Sequence, residues 1–325
     1  MVRKMIIEGL PVVPEANAAL EGELSSALDT GDEFFREVST HLLRAGGKRL
    51  RPALVLLCAQ AGPSGPAGGA VAMQLAVACE ILHTATLVHD DILDGAVVRR
   101  GQPTVSALWG ERVAILCGDY LFSRALTMVA ELGHSDVSVR LGQVMQRVCE
   151  AEIRQIVRAF DPNSSEAEYF DIVRRKSALL IAECCRSGAL LAGADEAIGE
   201  ALFLYGERMG IAFQIADDIL DIEACTDEVG KPTGKDVALG VLTLPVIRAL
   251  TGSDELRTLI CRRLSREGDA RRAIEIVRAS DGIEYARRVA GEYVLGAVRA
   301  LDGLPPGEPR ESLAAAAHFA VHRSR

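Results

Sequence analysis

The sequence predicts an all-α protein. Aromatic residues make up only 4% of the chain, while Ala, Leu and Val are abundant. Apolar residues recur at the spacing of a helix through most of the length, and no stretch alternates apolar and polar residues as a half-buried strand does. Hydrophobic residues account for 49% of the 325 positions, which is enough for a large core. Although the length alone would allow two domains, we expect a single domain that spans residues 1–325.

The expected helices are separated by residues that disfavour helical structure. Glycine breaks the pattern at Gly31 and Gly133, a Pro/Gly loop occupies residues 63–69, and Asp32 and Asp195 are suitable N-caps. In chain order we place helices at 14–30, 32–44, 53–61, 70–93, 104–132, 136–159, 166–191 and 195–220, with shorter helices from 243 to about 320.

Composition also restricts the partners and the compartment. The formal net charge of −9 argues against a nucleic-acid partner, so an anionic substrate would need metal ions and local clusters of cations. The eight cysteines form no CxxC motif and lie in apolar helical patterns, which is typical of a reducing compartment. The start of the chain lacks the apolar segment of a signal peptide, and polar residues interrupt the longest apolar run, 71–88. We therefore expect a soluble, cytoplasmic protein.

Three carboxylates, Asp90, Asp91 and Asp94, end the long helix 70–93. Asp90 and Asp94 are spaced i and i+4, so both lie on one face of the helix, one turn apart. Like charges at this spacing repel each other, and a hard divalent cation between them would convert the repulsion into binding. For a single motif of this kind, a solvated acidic helix end is the simpler explanation.

A near copy of this motif occurs downstream and weakens the simpler explanation. Asp217, Asp218 and Asp221 stand at the end of a second apolar helical run. Two copies suggest two carboxylate clusters that face each other. Because Mg²⁺ prefers a few carboxylates together with phosphate oxygens, such clusters would hold a diphosphate through bridging metal ions.

Cations precede both motifs in the chain. Lys48 and Arg51 lie three residues apart at the start of a helix, where they could project together at an anion with help from the helix N-terminus. The alternative is an ordinary solvated basic loop. His83 shares a helical stripe with Asp90 and Asp94, so we favour a position in the wall of a cavity over the more common hydrogen-bonded core histidine.

Six motifs in this order resemble the trans-polyprenyl diphosphate synthases. They are GKRLRP at 47–52, EILH at 80–83, HDDILD at 89–94, RRGQPT at 99–104, FQIADDILD at 213–221 and GKPTG at 230–234. Each motif alone is a weak signal, but the ordered set, from about residue 40 to residue 250, is specific. The final 75 or so residues add little to the resemblance.

The resemblance implies a fold and a reaction. The fold is a single-domain bundle of long helices around a central cavity, as in isoprenoid synthases, and the enzyme is usually a homodimer. An allylic diphosphate ionises with the help of Mg²⁺ (Mn²⁺ is the alternative), C4 of isopentenyl diphosphate attacks the carbocation, and a proton is lost. The substrates are isopentenyl diphosphate and an allylic diphosphate, and the product partitions into membranes although the protein is soluble.

The resemblance also implies roles for individual residues. The metal ligands would be Asp90, Asp94 and Asp217, supported by Asp91, Asp218 and Asp221. Isopentenyl diphosphate would be held by Lys48, Arg51, His83 and Arg100. The allylic diphosphate would be held by Arg99, Lys176, Gln214 and Lys231, with Ser177 in place of the usual threonine. The residues expected to carry catalysis are Asp90, Asp94, Asp217 and Lys176.

Two positions bear on the length of the product. In related short-chain enzymes, an aromatic residue four or five positions before the first aspartate motif stops elongation, and this chain has Thr86 and Ala85 there. We therefore expect a product of about C30–C50, as in quinone side chains. Elongation would stop at a bulky side chain further along the tunnel, at Phe122, Leu126 or Met128. The alternative is a short-chain synthase that makes farnesyl or geranylgeranyl diphosphate.

One departure from the family pattern concerns the allylic substrate. Many members have a lysine at the position of Val241, where it usually contacts the allylic diphosphate, and Lys235 is the residue that could compensate. Two further alternatives are a terpene cyclase and a non-catalytic partner subunit. A cyclase typically has Asn and Ser in its second metal motif, and a non-catalytic subunit would be expected to lose one aspartate cluster. Both clusters are intact here.

Overall fold

The computed structural model describes residues 14–62, 65–223 and 234–321. These residues are almost entirely helical, which confirms the all-α prediction. The helices are α1 (Pro14–Ala27), α2 (Glu33–Arg44), α3 (Leu50–Ala59), α4 (Gly65–Leu93), α5 (Val105–Trp109), α6 (Glu111–Glu131), α7 (Ser135–Val157), α8 (Glu166–Val173), α9 (Leu179–Leu191), α10 (Glu196–Glu223), α11 (Lys235–Ala238), α12 (Leu244–Leu250), α13 (Asp254–Cys261), α14 (Asp269–Ala279), α15 (Gly282–Ala300) and α16 (Glu308–Val321).

A short antiparallel hairpin follows α4. Its strands are β1 (Val98–Arg99) and β2 (Gln102–Pro103). Arg100 and Gly101 form the turn with φ of 52° and 73°, the left-handed values that a two-residue hairpin turn of type I′ requires. The expectation that the chain contains no strand was wrong here, because two-residue strands are too short to produce an alternating pattern.

Two predicted helices are interrupted. The expected helix 104–132 divides into α5 and α6 at Gly110, whose φ is 86°. The expected helix 166–191 contains a π-helical turn at Arg174–Ala178 between α8 and α9. Neither interruption changes the fold class, but the second one carries two of the predicted site residues.

The chain divides into two compact units. The first consists of Met1–Gly142, Glu183–Phe203 and Gly303–Ala316, and the second of Gln143–Ala182, Leu204–Asp302 and Ala317–Arg325. The single domain and the central cavity between facing aspartate clusters remain predictions.

Helix α4 is the central helix of the first unit and packs against α3 and α6. Val77, Ile81 and Leu82 are no more than 1% exposed, so this helix is buried on several sides. Gly118 of α6 lies against His89, and a Cβ atom there would come within 2.2 Å of His89 Nε2. A glycine is therefore needed where α6 crosses the end of α4 that carries the first aspartate motif.

The second unit has a core that includes one face of α10. Four isoleucines of this helix are buried in that core: Ile211, Ile215, Ile219 and Ile222. Their spacing places them on one side of the helix, while Asp217 falls on another side. The pattern of the sequence thus separates the core of this unit from the carboxylate that was predicted to bind metal.

Two described helices are long and apolar enough to cross a membrane, the segments Gly69–Leu93 and Glu111–Glu131. In the first, 67% of the most apolar window is buried, as in the core helix of a soluble protein. In the second, only 33% is buried, so α6 exposes an apolar face within its unit.

Candidate active site

Of the three carboxylates in the first aspartate motif, one is buried and the other two are partly exposed. Asp91 is 1% exposed, and Arg99 of β1 donates its Nε–H to Asp91 Oδ1 at 2.5 Å. Asp90 and Asp94 are partly exposed, and the bond from Asp94 N to Asp90 O (2.8 Å) shows that the helical path continues to Asp94. Asp90 and Asp94 therefore lie on one helix face, and Asp91 fixes the hairpin that carries Arg99 and Arg100.

Cations surround His83 in the first unit. Burial, and then the charges of Arg51 and Arg100, lower the pKa of His83 well below its usual range. His83 is therefore neutral at physiological pH. Arg100 donates to the carbonyl oxygen of Gly46, and a Cβ atom on Gly47 would come within 2.8 Å of Arg100 Nη1. The two glycines of this loop thus let the chain approach the guanidinium group.

Lys48 and Arg51 flank a residue whose importance the motif analysis missed. Arg49 is 3% exposed and adopts a left-handed backbone with φ of 48°. It donates to Glu21 Oε1 at 2.9 Å, to Glu80 Oε1 at 2.8 Å and to the Leu43 carbonyl oxygen at 2.8 Å. Burial opposes the charge of Arg49, but the bonds to Glu21 and Glu80 raise its pKa overall.

A signal for this network was present in the sequence. Glu80 stands within a long apolar run, and a carboxylate buried in such a helix requires a cationic or hydrogen-bonding partner. The partner could not be identified from the sequence because Arg49 is 31 residues away. In the structure, the network joins α1 and α4 to the loop that carries Lys48.

The second aspartate motif is held by hydrogen bonds within the second unit. Asp218 is 3% exposed and accepts bonds from the Tyr169 hydroxyl at 2.6 Å and from Gln214 Nε2 at 2.9 Å. Burial, and then the charge of Asp236, raise the pKa of Asp218 to about 8. Asp217 is partly exposed. Of this pair, Asp217 is thus the more accessible to a ligand.

Asp221, the third member of the second motif, caps the start of α11. Its side chain accepts the backbone N–H groups of Lys235 at 3.2 Å and of Asp236 at 3.1 Å. Burial raises the pKa of Asp221 although these bonds oppose the shift. Lys231, predicted to hold the allylic diphosphate, lies outside the described residues.

Lys176 and Ser177 occupy the π-helical turn. Lys176 Nζ lies 2.5 Å from Glu152 Oε1 of α7. The Ser177 hydroxyl donates to Gln214 Oε1 at 2.8 Å, which continues the chain of bonds to Asp218. Single π-helical turns inside helices are frequent at functional sites. No pattern in the sequence indicates this π-helical turn.

Lys176, Ser177, Gln214 and Asp218 line one cavity of the second unit, with a volume of about 720 Å³ including its mouth. We call it the Lys176 cavity. Its polar lining residues are Gln155, Arg158, Ser164, Glu168, Tyr169, Lys176, Ser177, Gln214, Asp218, Asp236 and Thr243. Val241 also lines it, so the position where related enzymes carry a lysine contributes an uncharged wall.

The predicted chain-length residues lie on α4. Ala85 is fully buried, and the Thr86 hydroxyl donates to the His83 carbonyl oxygen at 2.7 Å. The ring of Phe122 stacks on His89 with 5.7 Å between centroids. Of the side chains predicted to stop elongation, Phe122 therefore lies beside the first aspartate motif, and Leu126 is 37% exposed.

Comparisons with known proteins agree with the motifs. A family model described as "Polyprenyl synthetase" matches residues 32–277. Heptaprenyl diphosphate synthase component 2 of Geobacillus stearothermophilus is 41% identical over 296 residues, which cover 90% of this chain and 91% of that protein.

Solved structures are similar over nearly the whole chain. The heptaprenyl diphosphate synthase from Staphylococcus aureus superimposes with a TM-score of 0.90 at 32% identity, covering 95% of this chain and 98% of that one. The polyprenyl synthase from Caulobacter crescentus CB15, complexed with calcium and isoprenyl diphosphate, gives a TM-score of 0.89 at 35% identity and covers 95% of each chain.

Proposed function

This chain belongs to the polyprenyl synthetase family, and on that premise we propose that it condenses isopentenyl diphosphate with an allylic diphosphate to elongate an all-trans polyprenyl diphosphate. The observation that carries the proposal is the Lys176 cavity, where cationic, amide and acidic side chains converge. Relatives named heptaprenyl diphosphate synthase support a medium- or long-chain product. We propose a product of about C30–C50.

The residues fit a divalent metal ion that arrives with its substrate. Among the described residues, no group of three His, Cys, Asp or Glu side chains is arranged to hold a metal ion by itself. Mg²⁺ usually keeps several waters and takes one or two carboxylates together with phosphate oxygens. Asp90, Asp94 and Asp217 offer the oxygen ligands that Mg²⁺ prefers, and Mn²⁺ is the alternative ion. Bound there, the ion would supply positive charge to the departing diphosphate.

The side chains of this protein would bind the two diphosphate groups. Lys176, once it leaves Glu152, would bind the diphosphate of the allylic substrate and stabilise its negative charge as the carbon–oxygen bond breaks. Lys48, Arg51 and Arg100 would hold the diphosphate of isopentenyl diphosphate. A new carbon–carbon bond forms from C4 of that substrate, and a proton leaves from its C2.

Neutral His83 has a distinct part in this arrangement. Because its pKa is lowered by burial and by the arginines around it, His83 can offer one N–H donor without adding another positive charge. The cations therefore supply the positive charge at the isopentenyl diphosphate site, and His83 supplies a hydrogen bond that orients the substrate. Arg99 is paired with Asp91. To bind the allylic diphosphate as predicted, Arg99 would have to release Asp91 and pair with the substrate instead.

Substrate kinetics test the proposed division of the cations. We expect Arg100→Ala to raise mainly the KM for isopentenyl diphosphate, and Lys176→Ala mainly the KM for the allylic primer. Each change removes a hydrogen bond to a charged group, worth roughly 1.5–3 kcal/mol or about 10- to 150-fold. Equal effects of both variants on both substrates would contradict the assignment.

We also propose that the enzyme is a homodimer. On α6, Ile115, Leu116 and Leu126 are 46%, 67% and 37% exposed; Ile115 and Leu126 share one face of the helix, and Leu116 lies next to that face. Light scattering of the pure protein should give the mass of two chains, and Leu116→Glu should shift it toward one. A relative named component 2 suggests a second protein as the alternative partner, which a monomeric mass would favour.

We propose a cytoplasmic location as well. All seven described cysteines are free thiols, and five of them are buried. Free thiols in this number are typical of a reducing compartment. Cell fractionation followed by detection of the protein in the soluble fraction tests this proposal.

A further inference from the structure

Among the described residues, two cations line the Lys176 cavity, and of these Lys176 already has a proposed role. The other is Arg158, which follows the end of α7 and has a side chain that is 43% exposed. Arg158 Nη1 lies 2.5 Å from Asp161 Oδ2, and Nη2 contacts Glu168 Oε1. The guanidinium group has five N–H donors, so these two contacts leave donors for a ligand.

The carboxylates beside Arg158 do not depend on it. Glu168 Oε2 accepts the backbone N–H and the hydroxyl of Ser165, both at 3.0 Å, in the capping box of α8. Asp161 Oδ1 accepts the backbone N–H of Asn163 at 3.0 Å. Exposed ion pairs contribute little stability. Arg158 can therefore turn toward a bound anion without leaving a buried charge behind.

The same cavity also contains a buried hydroxyl group, that of Thr243. Thr243 is 2% exposed, and its Oγ1 atom has no hydrogen-bond partner among the described residues. Although Thr243 is the N-cap of α12, its side chain makes no capping bond. A buried hydroxyl without a partner is unfavourable, so a ligand oxygen at this position would be stabilising.

A backbone hydrogen bond and a close packing contact join Phe160 to Gly240. The Phe160 N–H donates to the Gly240 carbonyl oxygen at 2.9 Å. A Cβ atom on Gly240, whose φ is 78°, would come within 2.3 Å of the Phe160 ring. The segment that follows Arg158 is thus held against the segment that carries Val241 and Thr243.

We propose that Arg158 and Thr243 form a further binding subsite for the diphosphate of the allylic substrate. Arg158 supplies a charge that neutral Val241 does not, and the Thr243 hydroxyl donates to a diphosphate oxygen. Lys176 and Arg158 are the cations among the described lining residues, and a diphosphate carries more negative charge than one of them neutralises. This inference rests on the proposed function.

Binding of an unreactive substrate analogue tests the subsite without turnover. The probe is farnesyl thiolodiphosphate, in which sulfur replaces the bridging oxygen, titrated by calorimetry in the presence of Mg²⁺. We expect Arg158→Ala to weaken binding about tenfold and Arg158→Lys to weaken it less. Adding Val241→Lys to Arg158→Ala should restore most of the affinity, because position 241 lines the same cavity.

A matched control is Arg147→Ala on α7, the helix that precedes Arg158. Arg147 is 54% exposed, pairs with Glu150 and does not line the cavity, so its removal should leave the affinity unchanged. Thr243→Val should weaken binding and at the same time raise the Tm of the ligand-free protein, since it removes the unsatisfied hydroxyl. A purely structural threonine would not combine these two effects.

The outcomes separate the two levels of the proposal. A wild-type protein that binds no analogue would contradict the proposed function itself. Analogue binding by the wild type with unchanged affinity in Arg158→Ala would overturn only the subsite. A double variant with Lys at position 241 that binds no better than Arg158→Ala would also overturn it, as would unchanged affinity in Thr243→Val.

Discussion

Replacing Arg49 with alanine should destabilise the first unit more than the loss of any surface cation. The side chains of Arg49 and Glu80 are 2% and 3% exposed, and 2.8 Å separates Arg49 Nη1 from Glu80 Oε1. Arg49→Ala removes this pair together with the bonds to Glu21 and Leu43. The charge of Glu80 would then remain buried without its arginine.

The expected cost follows from this burial. Removing one partner of a buried ion pair costs about 3–5 kcal/mol. An unfolding entropy of about 2.1 cal/mol/K per residue, applied to a chain of 325 residues, converts this cost into a fall in Tm of about 4–7 °C. Arg36→Ala is the control, because Arg36 and Asp29 are 41% and 56% exposed and 3.7 Å apart. It should cost less than about 1 kcal/mol.

A double variant separates the effect of charge from the effect of lost packing. Arg49→Met combined with Glu80→Met should recover most of the stability, since replacing a buried ion pair by apolar residues is often nearly neutral. Glu21 is 43% exposed and can be solvated by water. Thermal and urea unfolding of the four proteins would decide the question. Melting of Arg49→Ala within 1 °C or so of Arg36→Ala, or a double variant no more stable than Arg49→Ala, would refute the reasoning.

Three further predictions concern the site. Asp90→Ala and Asp217→Ala should each lower turnover by orders of magnitude with unchanged circular dichroism, and a near-normal rate in either at saturating Mg²⁺ would contradict the roles of these carboxylates. Ala85→Phe should shorten the product to about C15–C20 by filling space beside α4, as chromatography of the dephosphorylated product would show; an unchanged length would remove the steric argument. Because the pKa of His83 is lowered in the folded protein, the unfolded chain takes up a proton there below about pH 6.5 while the folded protein does not. Acidification from pH 7 to pH 5 should therefore destabilise the metal-free protein through His83, by up to about 1.4 kcal/mol per pH unit. His83→Gln should reduce this loss and the exposed His134→Gln should not, and equal pH dependence of both variants would contradict the shift.

The sequence predicted the fold class and the local geometry of the aspartate motifs because both depend on short-range patterns. Asp90 and Asp94 share a face of α4 as their spacing required, and the buried isoleucines of α10 follow the helical period. The motifs also indicated the family, which the comparisons confirmed. The roles assigned to individual site residues stay predictions.

Other features could not be predicted because they depend on distant parts of the chain. Arg49 lies 28 residues from Glu21 and 31 from Glu80, and no local pattern indicates such a network. The π-helical turn Arg174–Ala178 has no composition of its own that distinguishes it from an α-helix. The positive φ of Arg100 is uncommon for a residue with a side chain, and only the hairpin around it explains the conformation.

Turnover by the purified full-length chain tests the central claim most directly. The protein would be incubated with labelled isopentenyl diphosphate, farnesyl diphosphate and Mg²⁺, and the dephosphorylated products would be separated by chromatography. We predict an all-trans product of about C30–C50 and loss of activity when a chelator removes the metal. A chain that transfers no prenyl group under these conditions, or that stops at C20, would contradict the account.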